Sequence, residues 1–192
     1  MTISSPLSPR HNPVDVGPTD AELERMTGMC GDRGALTIIL GHGRTPDVIL
    51  AATRFTQRWE EAGGVVLDTI TWPESAASWM RQALRFTASE PDLWVMLGPV
   101  IGWARMTRRL LSSTPWQPSR TIAAAAVGTA DAIGLVGAAD LSGMAGATCD
   151  GGMWTISCGE LVFAPVPETS TLVTPPPGPP GHPPTPQWAA RE

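Results

Sequence analysis

The chain of 192 residues lacks lysine, so all 13 of its basic residues are arginine, against 18 acidic residues. We attribute the exclusive use of arginine to GC-rich coding rather than to function. The net charge of -5 argues against nucleic acid and anionic membrane surfaces as partners, because both attract a positively charged surface. Individual arginines can still bind a small anionic ligand.

The chain also lacks an uninterrupted apolar run of about twenty residues, the length that a membrane-spanning helix needs. The longest candidate, residues 121–139, is rich in Ala and Gly and is interrupted by Asp131. Residues 1–18 contain no apolar segment of the kind found in secretory signals. We therefore expect a cytoplasmic protein with no membrane partner.

Cysteine is scarce as well. Three cysteines are an odd number in a chain without an export signal, which favours free thiols over disulfides. Cys149 and Cys158 have no histidine nearby, and their spacing fits neither a zinc site nor a Cys-x-x-Cys redox pair. No complete nucleotide-binding fingerprint is present either. The sequence therefore predicts no metal, no cofactor and no catalytic residue.

Composition divides the chain into three parts. We interpret residues 1–33 as a flexible N-terminal segment that contains a short helix. Residues 34–166 alternate apolar runs with amphipathic stretches, which predicts an α/β domain. Residues 167–192 are rich in Pro, Thr, Gly and Ser, and we expect this tail to be disordered because it cannot bury enough apolar surface to offset chain entropy.

The central part repeats a strand–helix unit. Short apolar runs predict strands, and apolar residues spaced by three and four predict the helices between them. The predicted strands are 35–40, 65–71, 93–97 and 121–127, and the predicted helices begin at Pro46, Pro73 and Gly98-Pro99. This alternation predicts a single doubly wound, mostly parallel sheet with helices on both faces. The predicted core includes Ile38, Ile39, Phe55, Trp59, Val66, Trp79, Val95, Met106 and Ala124.

The two ends of the fold carry their own signals. Thr19 and Glu22 have the spacing of a capping box, which predicts the start of the N-terminal helix, and Gly28 suits its end. Towards the other end we predict a fifth strand at 132–136 and a C-terminal hairpin of 153–156 with 161–163. Residues 138–152 have no predicted structure.

Three motifs follow one another between residues 35 and 109. They are a helix ending in Arg58-Trp-Glu-Glu-Ala-Gly-Gly64, the helix start Pro73-Glu-Ser-Ala-Ala77 after a strand that contains Asp, and Asp92-Leu-Trp-Val-Met-Leu-Gly-Pro-Val100 entering a helix. Together they resemble the N-terminal lobe of type I periplasmic binding proteins of the leucine-binding kind. The resemblance implies an α/β lobe that binds a ligand.

The chain departs from that family in two respects. The family closes two lobes over its ligand, whereas too little sequence follows residue 128 to build a second lobe of similar size. The family also carries a serine, whose hydroxyl helps to hold an amino acid, where Ile101 and Gly102 stand in this chain. The family's ligand specificity therefore does not carry over.

A second resemblance competes with the first. The turn Gly41-His42-Gly43 and the segment Gly98-Pro-Val-Ile-Gly102 look like the central run of an α/β-hydrolase. Val100 occupies the position of the nucleophilic serine, and without a hydroxyl oxygen there is nothing for a histidine to deprotonate. This resemblance implies at most an inactive relative.

Candidate ligand-binding residues follow from the predicted topology, because an open α/β sheet binds ligands outside the carboxyl ends of its strands. They are His42, Gly43, Arg44, Asp68, Gly98, Thr129 and Asp131. In the first loop, glycine lets the backbone approach an anion, Arg44 offers a bidentate fork and His42 titrates near neutrality. The loop also suits a plain strand-to-helix turn with exposed side chains, and both aspartates suit solvent-facing positions.

Three functions remain open at this point. We favour a non-catalytic lobe that binds a small molecule or a protein partner. The first alternative is an enzyme that uses His42, Arg44 and Asp68 on an anionic substrate. The second is an assembly module that docks onto a protein partner through residues 167–192.

Overall fold

The structure, a computed structural model, describes residues 17–164. This part of the chain contains five α-helices and seven β-strands. The helices are α1 (Asp20–Asp32), α2 (Pro46–Glu61), α3 (Met80–Phe86), α4 (Val100–Ser113) and α5 (Ala130–Gly134). The strands are β1 (Thr37–His42), β2 (Val65–Thr71), β3 (Leu93–Leu97), β4 (Thr121–Ala123), β5 (Ala145–Ala147), β6 (Met153–Ser157) and β7 (Glu160–Ala164).

The seven strands form one sheet in the order β2-β1-β3-β4-β5-β6-β7. Strands β1 to β5 run parallel, which confirms the predicted α/β class, and β6 and β7 extend the sheet as an antiparallel hairpin. β2 joins one side of β1 and β3 joins the other. The boundary between β1 and β3 is therefore the topological switch point of the sheet.

Helices cover both faces of the sheet, as predicted. Alternate side chains of a strand point to opposite faces, so each central strand contributes to two apolar clusters. Ile38 and Leu40 of β1 lie in the cluster that α1 and α2 cover, together with Phe55. Ile39 lies in the other cluster, which α3, α4 and α5 cover and which includes Trp103.

Helix α1 is longer and more buried than the sequence predicted. The capping box is confirmed, since the Thr19 hydroxyl accepts from the Glu22 amide at 3.1 Å and the Glu22 carboxylate accepts from the Thr19 amide at 3.4 Å. Gly28 lies inside the helix, so the prediction that it ends the helix was wrong. The helix ends at Asp32, and Gly34 with a φ of 68° leads the chain away.

The apolar side of α1 is buried in the α1/α2 cluster through Leu23, Met26, Met29 and Cys30. For its described part, the segment 1–33 that we interpreted as flexible is thus a capped helix packed on the sheet. The other boundaries of the predicted parts stay predictions.

The second predicted helix begins later than expected. Only Met80–Phe86 is helical. Residues 73–79, here called the strap, lie between β2 and α3 and have no regular structure. Side-chain bonds compete with helix formation there. The Trp79 indole N–H donates to the carbonyl of Pro73 at 3.1 Å, and the Ser78 hydroxyl accepts from the Met80 amide at 3.2 Å.

The region after β3 departs from prediction in two places. β4 ends at Ala123 because residues 124–128 fold into turns, in which the Val127 amide donates to the carbonyl of Ala124 at 3.0 Å. The predicted fifth strand 132–136 was wrong, because Thr129 caps a short helix there instead. The fifth strand, Ala145–Ala147, lies in the stretch without prediction.

Strand β2 lies at one edge of the sheet rather than inside it. An edge strand leaves part of its surface in solvent, and 52% of Val65 and 44% of Leu67 are exposed. The predicted core residue Val66 is half-buried for the same reason, and Trp79 is half-buried because it lies in the strap. The other predicted core residues are buried.

The predicted C-terminal hairpin is confirmed as β6 and β7, joined by Cys158 and Gly159, both with positive φ. The predicted proline-rich tail, 167–192, and the first sixteen residues lie outside the described residues. Between residues 17 and 164, no helix combines the length and apolar character needed to cross a membrane.

The buried side chain of Phe55 provides a test of the face that α2 turns to the sheet. Replacing Phe55 with Ala should reduce the free energy of unfolding by about 3–5 kcal/mol, because it leaves a cavity in a packed cluster. Chemical denaturation measures the loss. Ile49 on the same helix is 45% exposed, so Ile49→Ala should change stability by about 0.5 kcal/mol or less. Equal effects of the two changes would contradict the packing described above.

Candidate functional site

The carboxyl ends of β1 and β3 meet at the switch point, where such a sheet receives its ligands. The two loops that leave these strands contact each other directly. The Gly43 amide donates to the carbonyl of Gly98 at 3.3 Å. A Cβ atom on Gly43 would lie 2.3 Å from the Pro99 ring, so only glycine fits there. The structure thus brings together Gly43 and Gly98, two of the predicted site residues.

His42 ends β1 beside this contact and is buried, with 5% of its surface exposed. Its Nδ1 atom lies 2.6 Å from the carbonyl oxygen of Gly43, so Nδ1 carries the proton and donates. Burial lowers the pKa of the imidazole, and the hydrogen bond to Gly43 opposes this only in part. His42 is therefore neutral at pH 7 and contributes no positive charge for an anion.

The carboxylate of Glu74 lies over the same crevice. Its Oε2 atom accepts from the amide of Gly102, in the first turn of α4, at 2.7 Å. A Cβ atom on Gly102 would lie 2.4 Å from Oε1, and one on Gly43 would lie 3.2 Å from it. Two glycines are therefore in close contact with one carboxylate. Its negative charge is stabilised by the positive end of the α4 dipole.

The strap that carries Glu74 is attached to α4 by a further residue. The Arg105 guanidinium donates to the backbone carbonyl of Glu74 at 2.9 Å. The same guanidinium lies over the ring of Trp79, 5.4 Å from its centroid, at a distance typical of cation–π contacts. Strap and helix are thus joined at both ends of the strap.

A separate polar cavity of about 190 Å³ opens at the edge of the sheet, between the end of β2 and α3. We call it the arginine cleft. Its lining residues are Arg44, Thr69, Ile70, Thr71, Arg81, Gln82 and Arg85. Arg44 therefore turns towards β2 and α3. Of the three arginines, only Arg85 has an ion-pair partner within residues 17–164, because it binds Asp68.

Asp68 is not at a strand end. It pairs in register with Ile39, whereas His42 pairs with Thr71, so the two candidate residues lie three positions, or about 10 Å, apart along the strands. Both Asp68 carboxylate oxygens accept from Arg85 Nη2, at 3.1 and 2.8 Å. The structure does not bring His42 and Asp68 together.

The last two candidates lie after β4. The Thr129 hydroxyl caps α5 by accepting from the Ala132 amide at 3.1 Å, and Asp131 is exposed in the first turn of that helix. Nearby, the buried Glu22 carboxylate accepts from the amide of Ala125 at 2.6 Å. Burial raises the pKa of Glu22, and the hydrogen bonds from the Ala125 and Thr19 amides lower it in part. Thr129 and Glu22 thus support the structure of this edge.

Sequence reasoning missed Glu74, Gln82, Arg81 and Arg85. The spacing of the two arginines, four residues apart, was a signal, but it also fits a solvated helix face. No signal was available for Glu74, because its contact joins residues 28 positions apart in the chain. Within the described part of the chain, no three His, Cys, Asp or Glu side chains cluster as metal ligands would.

No protein-family model matches this sequence, and no curated protein matches it. Solved structures do resemble its fold. One is a periplasmic ligand-binding protein of a branched-chain amino acid ABC transporter from Burkholderia xenovorans LB400, with 13% sequence identity and a TM-score of 0.52. Another is a substrate-binding periplasmic protein from Ralstonia solanacearum, with 10% identity and a TM-score of 0.54.

The matches cover 65% and 68% of this chain, but only 33% and 37% of the other two proteins. The chain therefore spans about a third of their length and resembles one lobe. This agrees with the family resemblance seen in the sequence. At such low identity the likeness establishes the fold alone.

The buried neutral His42 provides a test by pH. Because burial lowers its folded pKa below the ordinary value of 6.5, the unfolded chain binds a proton more readily, and stability should fall as the pH falls through 6.5. Replacing His42 with Asn keeps a donor for Gly43 and removes the titration. As the pH falls from about 7.5 to 5.5, the unmodified protein should lose unfolding free energy relative to His42→Asn. A constant difference would show that the pKa of His42 is the same in the folded and the unfolded protein.

Proposed function

We propose that this chain is a non-catalytic binding lobe that holds a small anionic ligand in the arginine cleft. The observation that carries the proposal is that three arginine residues line one small cavity. Arg44 comes from the loop after β1, and Arg81 and Arg85 come from α3. Guanidinium groups bind carboxylate and phosphate through paired, charge-assisted hydrogen bonds.

The charge balance of the cleft favours an anion. Asp68 neutralises the charge of Arg85. Arg44 and Arg81 have no ion-pair partner within residues 17–164, so two positive charges remain. Thr69 and Thr71 of β2 also line the cleft. Such a site suits a ligand with two negative charges, such as phosphate or a dicarboxylate.

The volume of the cleft suits a small ligand. About 190 Å³ corresponds to roughly six water molecules at about 30 Å³ each. A phosphate group or a short dicarboxylate fits this space. The fold likeness to one lobe of periplasmic binding proteins supports ligand binding in general and says nothing of this ligand class.

The enzyme alternative loses its main support, because it needs His42 and Asp68 to act together. His42 donates to Gly43, Asp68 binds Arg85, and the two side chains lie about 10 Å apart along the strands. Docking through residues 167–192 stays a prediction, since that segment lies outside the described residues. A cytoplasmic location also stays a prediction.

Replacing Arg81 with Gln tests the cleft. If Arg81 binds the anion, the dissociation constant for phosphate or a dicarboxylate such as succinate should rise about tenfold, the effect of losing one charge-assisted hydrogen bond of about 1.5 kcal/mol. Calorimetric titration measures it. Affinity of the unmodified protein should also fall with rising salt, because the lining arginines are exposed.

The matched control is Arg54→Gln, which removes one exposed positive charge from α2, on the opposite face of the sheet from α3. It should leave the dissociation constant within about twofold. Equal weakening by both changes would mean a general charge effect. No saturable binding of either anion to the unmodified protein would overturn the proposal.

A further inference from the structure

A β-bulge in β2 decides on which face of the sheet the Asp68 side chain lies. Val66 pairs with Ile38 but Asp68 pairs with Ile39, so Leu67 is an extra residue between the two pairs. In a regular strand, Val66 and Asp68 would point to the same face. Val66 packs on the α1/α2 cluster, whereas Ile39 lies in the cluster that α3, α4 and α5 cover. The bulge therefore moves Asp68 to the face of α3.

On that face, the Asp68 carboxylate contacts two residues that line the arginine cleft, Arg85 and Thr69. Its two oxygens accept from Arg85 Nη2 at 3.1 and 2.8 Å, and Oδ1 also accepts from the Thr69 amide at 2.8 Å. The side chains of Arg85 and Asp68 are 59% and 39% exposed, so water can open the ion pair. The bond to the Thr69 amide keeps the negative charge beside the cleft even then.

The pair of Asp68 and Arg85 determines the net positive charge that the cleft offers. Three arginine residues line the cleft, and none of the described residues that line it is acidic. Asp68, beside the cleft, neutralises one of these arginines, so two positive charges remain. A ligand with two negative charges balances them. A third carboxylate would find no unpaired arginine and would be repelled by Asp68.

We infer that Asp68 is a specificity-determining residue of the arginine cleft and makes the cleft selective for dianions over trianions. The inference rests on the proposed function, because it needs an anion in the cleft. With the charge of Asp68 in place, Arg44 and Arg81 hold the ligand and Arg85 is neutralised. Without that charge, Arg85 becomes available to a third carboxylate. The bulge in β2 thus acts on ligand choice through the side chain that it re-aims.

Glutarate and tricarballylate provide a matched pair of ligands, since both are built on a three-carbon chain and they differ by one carboxylate. At about pH 8 they carry two and three negative charges. The unmodified protein should bind glutarate at least as tightly as tricarballylate. Asp68→Asn should bind tricarballylate about tenfold more tightly than the unmodified protein does, the effect of one charge-assisted hydrogen bond, and glutarate at most about twofold more tightly. Calorimetric titration at constant ionic strength measures these dissociation constants.

Further variants show whether the gain depends on Arg85 and on the charge of Asp68. In the double variant that combines Asp68→Asn with Arg85→Gln, the gain for tricarballylate should be lost, because the third positive charge is removed again. Asp68→Glu keeps the negative charge and should keep the preference of the unmodified protein. The matched control is Asp20→Asn, since Asp20 is an exposed carboxylate at the start of α1 that binds Arg58 at 2.9 Å. It should leave both dissociation constants within about twofold.

Two outcomes would overturn the inference and leave the cleft as an anion site. In one, both ligands bind the unmodified protein and Asp68→Asn changes the two dissociation constants by the same factor. In the other, the gain for tricarballylate survives in the double variant, so that Arg85 has no part in it. If neither ligand binds saturably to any of these proteins, the proposed function is overturned as well. Should Asp68→Asn not fold, Asp68→Ser also removes the charge and carries the same expectations.

Discussion

The burial of β1 and β3 on both faces is the constraint on which the rest of the structure depends. Each strand must supply apolar side chains to two clusters at once, and its backbone groups must all bond to neighbouring strands. β2 and β3 therefore flank β1, and helices cover both sides. The same arrangement places the ends of β1 and β3 side by side, which creates the crevice at the switch point. The contact between Gly43 and Gly98 lies at this edge because of that pairing.

The arrangement also explains why the two candidate sites differ. The crevice between β1 and β3 is surrounded by buried residues, so its polar groups must be satisfied within the protein, and Glu74 and His42 are bound to backbone groups there. The cleft beside β2 lies at the edge of the sheet, where water can solvate unpaired arginines. A buried site filled by the chain itself and an exposed site with excess positive charge are thus two consequences of one topology.

Sequence reasoning predicted what local patterns determine. The apolar runs of β1 and β3, the capping box at Thr19 and the hairpin of β6 and β7 all follow from short-range signals, and each is confirmed. The strap and the fifth strand were not predictable in this way. Glu74 leaves the helical pattern because it bonds to a residue far along the chain, and Ala145–Ala147 is a strand only because neighbouring strands pair with it. Of the predicted site residues, the topology brings Gly43 and Gly98 together, whereas the register places Asp68 away from the strand ends.

Asp68 has a different consequence. It lies in the middle of β2, an edge strand whose outer side has no partner strand among the described residues and which exposes Val65 and Leu67. An edge of this kind can pair with a strand from another molecule, and natural proteins often prevent this with a charged side chain on the edge. The carboxylate of Asp68, held in place by Arg85, puts a charge in an otherwise apolar stretch of backbone. The residue that interrupts the hydrophobic pattern of the strand thereby discourages edge-to-edge aggregation.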